Sequence, residues 1–184
     1  KAQANAEKAG YGKVRGSADL RRLLEDKEVD AVIIATPDHW HAPATILACA
    51  AGKDVYVEKP VSHNLREGRL MVEAARKYKR VVQAGMQSRS RPSTIRAIEL
   101  VHSGKLGRTL MAKAWNAQHR DDIGRKTDSP VPPGVDFDTW IGPAEAAPFN
   151  ANRYHYRWHW NWDFGTGDIG NDGAHQIDQE IGRA

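Results

Sequence analysis

Short apolar runs alternate with amphipathic stretches over the first hundred residues. Val29 to Ala35 is nearly continuously apolar, which predicts a strand buried on both faces. Val55-Tyr56-Val57 and Val81-Val82-Gln83-Ala84 predict two further short strands. Between them, 42–51 reads as a small-residue helix closed by Gly52. Asn64 is placed to cap a helix over 65–79, with Leu65, Met71, Val72 and Ala75 along one stripe. Residues 1–8 read as a helix stopping at Gly10, and Ser17 as the cap of a helix over 18–27. Pro92 suits the first turn of a helix reaching about Ser103. Strand and helix in alternation with short loops predict an α/β chain with a parallel sheet.

Beyond Gly104 the texture changes, and a domain boundary is expected near Leu106, dividing 1–105 from 106–184. Leu110 to Gln118 predicts one longer strand, and the polar, Pro-rich stretch 120–135 a loop. From Tyr154 to Phe164 every second residue is aromatic, with His155, Arg157, His159, Asn161 and Asp163 between. Period two predicts an extended segment with one aromatic and one polar face. It serves either as a core strand or as one wall of a sugar site, with Arg157 and Trp158 as candidate contacts. Asn171 is expected to cap a last helix. On it Asn171, Asp172, His175, Asp178 and Gln179 fall within about 120° of one another, and Gly173 would permit close backbone approach.

Composition excludes more than it assigns. The net charge of +4 is small and dispersed, and its one cluster, Arg76 to Arg80, falls at a helix end where cations complement the dipole. That does not make a nucleic-acid groove. Cys49 is the single cysteine, so neither an internal disulfide nor a cysteine metal cluster is available; buried helix filler is its expected role, and no metal site is predicted. No membrane-spanning run is present. The chain begins at Lys1 without an initiator methionine and is expected to be an interior piece of a longer protein. Its compartment is therefore unknown, cytoplasmic by default, with export left open.

The chemistry concentrates where the predicted strands end. Val55-Tyr56-Val57 runs into Glu58-Lys59-Pro60, and the first strand into Thr36-Pro37-Asp38-His39-Trp40-His41. Polar, Pro-stiffened loops at the carboxyl ends of parallel strands form the ligand edge of an open sheet. Lys59 there could stabilise a developing alkoxide, or it is a surface lysine in a turn beside Glu58. Asp38 could cap a helix. His175, with a carboxylate one turn away, is a candidate general base, or part of the wet face of an amphipathic helix.

Taken in order, Ala35-Thr36-Pro37-x-x-x-His41, Glu58-Lys59-Pro60, Gly85-Met86-Gln87-Ser88-Arg89, Asp138 to Pro143 and Gly167 to Asp178 resemble the Gfo/Idh/MocA oxidoreductases, named for glucose–fructose oxidoreductase and inositol dehydrogenase. The resemblance implies an incomplete Rossmann-type domain followed by the start of an α/β substrate domain with a large open sheet. It implies NAD or NADP as cofactor and a sugar or polyol as substrate. It places Thr36, Pro37, His41, Glu58, Lys59 and Gln87 near the cofactor. Lys59 and His175 would be catalytic, with Asp172 as a possible third member. Lys59, Asn171, His175, Arg157 and Trp158 would meet the substrate. The family offers two other activities, a glycosidase working by transient oxidation and a non-catalytic sugar binder. The implied full-length protein is a homo-oligomer that binds neither nucleic acid nor membrane. Two departures stand out. Asn171 occupies a position where many members carry Asp, and no G-x-G-x-x-G phosphate-binding turn occurs in this sequence.

Overall fold

The computed structural model describes residues 2–181. Its centre is a three-stranded parallel sheet of β1 (Ala31–Ile34), β2 (Asp54–Val57) and β3 (Val82–Ala84), in that order. Ile34 pairs with Val57, and Val57 with Ala84, so the three carboxyl ends lie side by side. Helices α1 (Ala2–Lys8) and α2 (Leu20–Glu25) precede the sheet. α3 (Asp38–Ala50) and α4 (Leu65–Tyr78) connect its strands.

One face of the sheet makes the core. Val32, Ile34, Val55 and Val57 pack against Ala42, Ala48 and Cys49 of α3 and Met71 and Ala74 of α4. Each of Val32, Ile34, Val55, Val57 and Met71 contributes roughly 1.5–3 kcal/mol by its burial, and the alanines less. The small residues of α3 let it lie close to the strands, and Cys49 is fully buried there as filler, its thiol pushed up mainly by burial. The expectation that the first strand is buried on both faces does not hold. Successive residues point to opposite sides, the helices cover the Val32/Ile34 side, and Ile33 stays 78% exposed.

Local capping signals are met in part. The Asn64 side chain accepts from the Glu67 amide at the head of α4, and Pro92 opens α5 (Pro92–His102). In α2 the cap is Asp19 rather than Ser17. Asp19 accepts from the Arg21 amide, while the Ser17 hydroxyl supports Asp19 itself. α3 starts at Asp38, a turn earlier than expected. Asp38 does not cap it; its carboxylate accepts from the Thr166 hydroxyl at 2.7 Å.

The second half departs further from its expected pattern. Residues 110–118 form no strand, because no segment among the described residues pairs with them, and Leu110, Met111 and Trp115 are exposed. The aromatic alternation is not extended either. His155 takes a left-handed backbone (φ 49°) and His155–Trp160 winds into a 3-10 turn. At three residues per turn, alternate positions no longer share a face. Tyr154, Trp158 and Phe164 turn toward a second core with Phe137, Trp140, Ile141 and Phe149, while Tyr156 and Trp162 are exposed. Phe137 and Trp140, on α6 (Phe137–Ile141), stack with centroids 5.5 Å apart.

α3 joins the two cores. The His39 ring lies against Trp140 and Phe164, with Nδ1 and Nε2 facing the carbonyls of Phe164 (3.3 Å) and Trp140 (3.0 Å). Burial pushes its pKa down. The Trp40 indole donates to the Trp140 carbonyl at 3.1 Å. Gly142 is required for this seam. Its φ is +51°, and a Cβ there would fall 2.1 Å from Cζ2 of Trp40. Gly142→Ala is expected to cost at least about 2 kcal/mol. Gly167→Ala, at φ +65° but in open space, should cost about 1 kcal/mol. Urea denaturation of both variants checks this; equal costs would deny that the Trp40 ring is held against Gly142.

Candidate active site

The carboxyl end of β2 is pinned on both sides before it turns. The Glu58 amide donates to the Ile34 carbonyl at 2.9 Å, and the Gly85 amide to the Val57 carbonyl at 2.7 Å. Gly85 is needed here, since a Cβ would lie 3.0 Å from Glu58 Cα and from its Oε2. The chain then passes through Lys59 and a cis Lys59–Pro60 bond. The Glu58 carboxylate accepts from the Lys59 amide at 3.3 Å, while the Lys59 ammonium points elsewhere, so the simple Glu58–Lys59 ion pair does not form.

Lys59 Nζ donates to the backbone carbonyl of Asn171 at 2.6 Å and to its Oδ1 at 2.8 Å. These residues are 112 positions apart in sequence. Asn171 does not cap a helix as expected. It lies inside a π turn, Ile169–Gly173, that leads into α7 (Ala174–Ile181). The wide turn advances its side chain toward the sheet edge. The close approach that permits this is at Gly170, not Gly173. A Cβ on Gly170 would fall 1.8 Å from Thr166 Oγ1 and 3.3 Å from Pro60 Cγ, whereas one on Gly173 would meet ordinary contacts from 3.5 Å outward.

His175 follows Asn171 by one helical turn. Its Nδ1 is buried and has no partner. Burial pushes its pKa below the ordinary 6.5, and the Lys59 ammonium pushes the same way, as does Arg91; Glu58 and Asp172 oppose them. The site therefore pairs a cation held on neutral oxygens with an imidazole that is neutral at pH 7. A second fastening secures α7. The Arg89 guanidinium, on the 3-10 turn Gln87–Ser90, clasps the Asp178 carboxylate through Nε and a terminal nitrogen.

The other expected residues are dispersed around this centre. Thr36 is exposed and Pro37 half-buried at the end of β1, and Gln87 is exposed at the end of β3, all on the same sheet edge. His41, expected on the cofactor side, lies beneath it. Its ring is 1% exposed, with Nδ1 2.6 Å from the Pro60 carbonyl and Nε2 2.8 Å from the Thr36 carbonyl. It bolts the two loops together, and its ring has no nitrogen left for a ligand. Arg157 and Trp158 do not join Lys59. Arg157 donates to the Ile123 carbonyl and to Asn152 Oδ1, and Trp158 stacks on His159 at 3.6 Å. The 3-10 winding removes the extended wall that the alternation predicts. Asp172 is engaged by Arg120 at 2.7 Å.

Arg120 is the residue that sequence reasoning missed. It falls in the stretch 120–135 that the sequence predicts as a loop, although Arg120 continues the period-two row of Asn116 and Gln118 from the predicted strand.

Residues 1–86 match the oxidoreductase family model for an NAD-binding Rossmann fold, and 74–180 match that family's C-terminal α/β domain. A levoglucosan dehydrogenase from Pseudarthrobacter phenanthrenivorans is 32% identical over 71% of the chain and 34% of its own length. The NAD(+)-dependent scyllo-inositol 2-dehydrogenase of Bacillus subtilis is 32% identical over 54% of the chain and 29% of its own length. The crystal structure of a Lactobacillus plantarum myo-inositol 2-dehydrogenase superposes with a TM-score of 0.51 at 25% identity, over 56% of this chain and 31% of that one. An apo levoglucosan dehydrogenase shares the fold over 97% of this chain and 39% of its own, with a TM-score of 0.64 at 23% identity. The chain thus spans roughly 29–44% of the length of the curated relatives it matches. With both domain models matched in order along one continuous chain, it belongs to the Gfo/Idh/MocA family of NAD-binding oxidoreductases.

Proposed function

We propose that the full-length protein moves a hydride between NAD or NADP and a sugar or polyol carbon. In this reading 1–105 belongs to the dinucleotide domain and 106–184 to the substrate domain. The observation that carries it is the Lys59 ammonium fixed on Asn171 at the end of β2, with a buried, unpartnered Nδ1 on His175 one turn further on.

The sheet edge suits the nicotinamide end of the cofactor. Thr36, Pro37, Glu58 and Gln87 surround the ends of the three strands, and Gly85 leaves the room that Glu58 occupies. When bound, the dinucleotide supplies the hydride acceptor or donor. Lys59 would hold the reacting hydroxyl and stabilise its alkoxide. His175, neutral at pH 7, would accept the hydroxyl proton at a ring nitrogen. Asn171 would orient Lys59 through two oxygens without taking a proton itself. His41 would keep the two strand-end loops in register from below.

The test is cofactor turnover by the full-length protein with a panel of inositols, aldoses and anhydrosugars. Net NADH or NADPH formation is expected. Glycoside cleavage without net reduction would replace this reading with the glycosidase one. No turnover together with retained sugar binding would replace it with a non-catalytic binder.

A further inference from the structure

We propose that Arg120 is a positioning residue for the Lys59–His175 pair: by gathering the carboxylates of Asp168 and Asp172, it leaves Lys59 to the neutral oxygens of Asn171. Its catalytic meaning rests on the oxidoreductase reading above; its structural content does not. Arg120 Nε donates to Asp168 Oδ2 at 3.0 Å and a terminal nitrogen donates to Asp172 Oδ2 at 2.7 Å. Its guanidinium carbon lies 5.7 Å from the Trp160 ring centre, so an aromatic face backs the fork. Asn116 Nδ2 donates to the Asp168 carbonyl at 3.3 Å and holds the same stretch of chain from the other side.

The network continues to Lys59. Asn171 Nδ2 lies 3.5 Å from Asp172 Oδ2, while Asn171 Oδ1 accepts from Lys59. The Asp172 carboxylate is therefore one amide group away from the Lys59 ammonium. All these side chains are half-buried, and a half-buried carboxylate stripped of its guanidinium seeks the nearest cation. The cation within one amide's reach is Lys59. An ion pair there would displace the Asn171 amide, offset the Lys59 charge and bring negative charge toward His175. The charged groups acting on His175 are Lys59 and Glu58 after β2, Arg91 at the head of α5 and Asp172 in the π turn; Asp178, three residues further along α7, is held by Arg89.

The experiment is the titration of the His175 ring by NMR in the full-length protein, assigned with His175→Asn, in the absence of cofactor and substrate. Arg120→Gln is expected to raise the His175 midpoint by about one pH unit. Adding Asp172→Asn to that variant should return the midpoint toward wild type, a restoration that general loosening would not produce. Should Arg120→Gln fail to fold, Arg120→Lys serves. Its single ammonium cannot fork two carboxylates, and a smaller rise in the same direction is expected. An unchanged midpoint in the folded variant, or a rise that Asp172→Asn does not reverse, overturns the proposal. Failure of the oxidoreductase reading would show separately, as absent turnover in the wild type with the His175 shifts intact.

Discussion

Lys59→Ala in the full-length protein is expected to lower kcat by a factor of about 10³ or more, with dinucleotide affinity changed no more than about twofold. The size follows from what the ammonium does in this geometry. Two of its three protons are committed to Asn171, at 2.6 and 2.8 Å, so it is held in one place with one proton left for a ligand. A donor fixed beforehand stabilises developing alkoxide charge without reorganisation, which is where electrostatic catalysis gets most of its effect. Cofactor binding should survive because the backbone of the strand end is held by other bonds. Glu58 and Gly85 fasten β2 through their amides, and His41 braces Pro60 and Thr36 from beneath. Single-turnover kinetics and dinucleotide titration measure the two quantities independently. Turnover at a near-normal rate would remove Lys59 from the chemistry. Loss of dinucleotide binding would make it a cofactor ligand instead.

Local signals in the sequence were good guides where the physics is local. The Asn64 cap, the Pro92 helix start and the three strands of the sheet depend on a few neighbouring residues, and they appear within a residue or two of the expected places. The lysine and the histidine were also visible, because each follows a recognisable strand end or glycine-rich turn. What could not be read from sequence is set by distant contacts. The 3-10 winding of His155–Trp160 answers to a core made with Phe137 and Trp140, so period-two aromatics gave a misleading strand. The π turn brings Gly170 close against Pro60, a residue that only the folded chain brings near. The resemblance sets His41 near the cofactor and the polar composition sets Arg120 in a loop, but neither shows the His41 ring between two loop carbonyls or Arg120 between two carboxylates. Burial and partner, not residue type, decide the role, and both come from tertiary structure.

His175→Asn tests the other half of the pair, with an equally large effect on turnover and a signature in pH. In the wild type, kcat/KM for oxidation should fall as acid protonates His175, since only the neutral ring can accept the hydroxyl proton. Burial and the Lys59 charge both disfavour the imidazolium, so the fall should begin below the ordinary 6.5. The stability contribution of the neutral ring has the same sign. It is fully present above pH 6.5 and is lost as pH drops through the lowered folded value, because the unfolded chain then binds the extra proton. In His175→Asn the acid limb of kcat/KM should vanish, and the residual rate, lower by about 10²–10⁴, should be flat there. The Lys59 variant supplies a cross-check. Removing the ammonium takes away one of the two main causes holding the imidazolium down, so whatever activity Lys59→Ala retains should show its acid limb at higher pH than the wild type. An acid limb that is unchanged in His175→Asn would assign the proton to another group. A limb that stays put in Lys59→Ala would mean the two side chains do not feel each other, and the pairing drawn from the Lys59 hold on Asn171, one turn before His175, would fail.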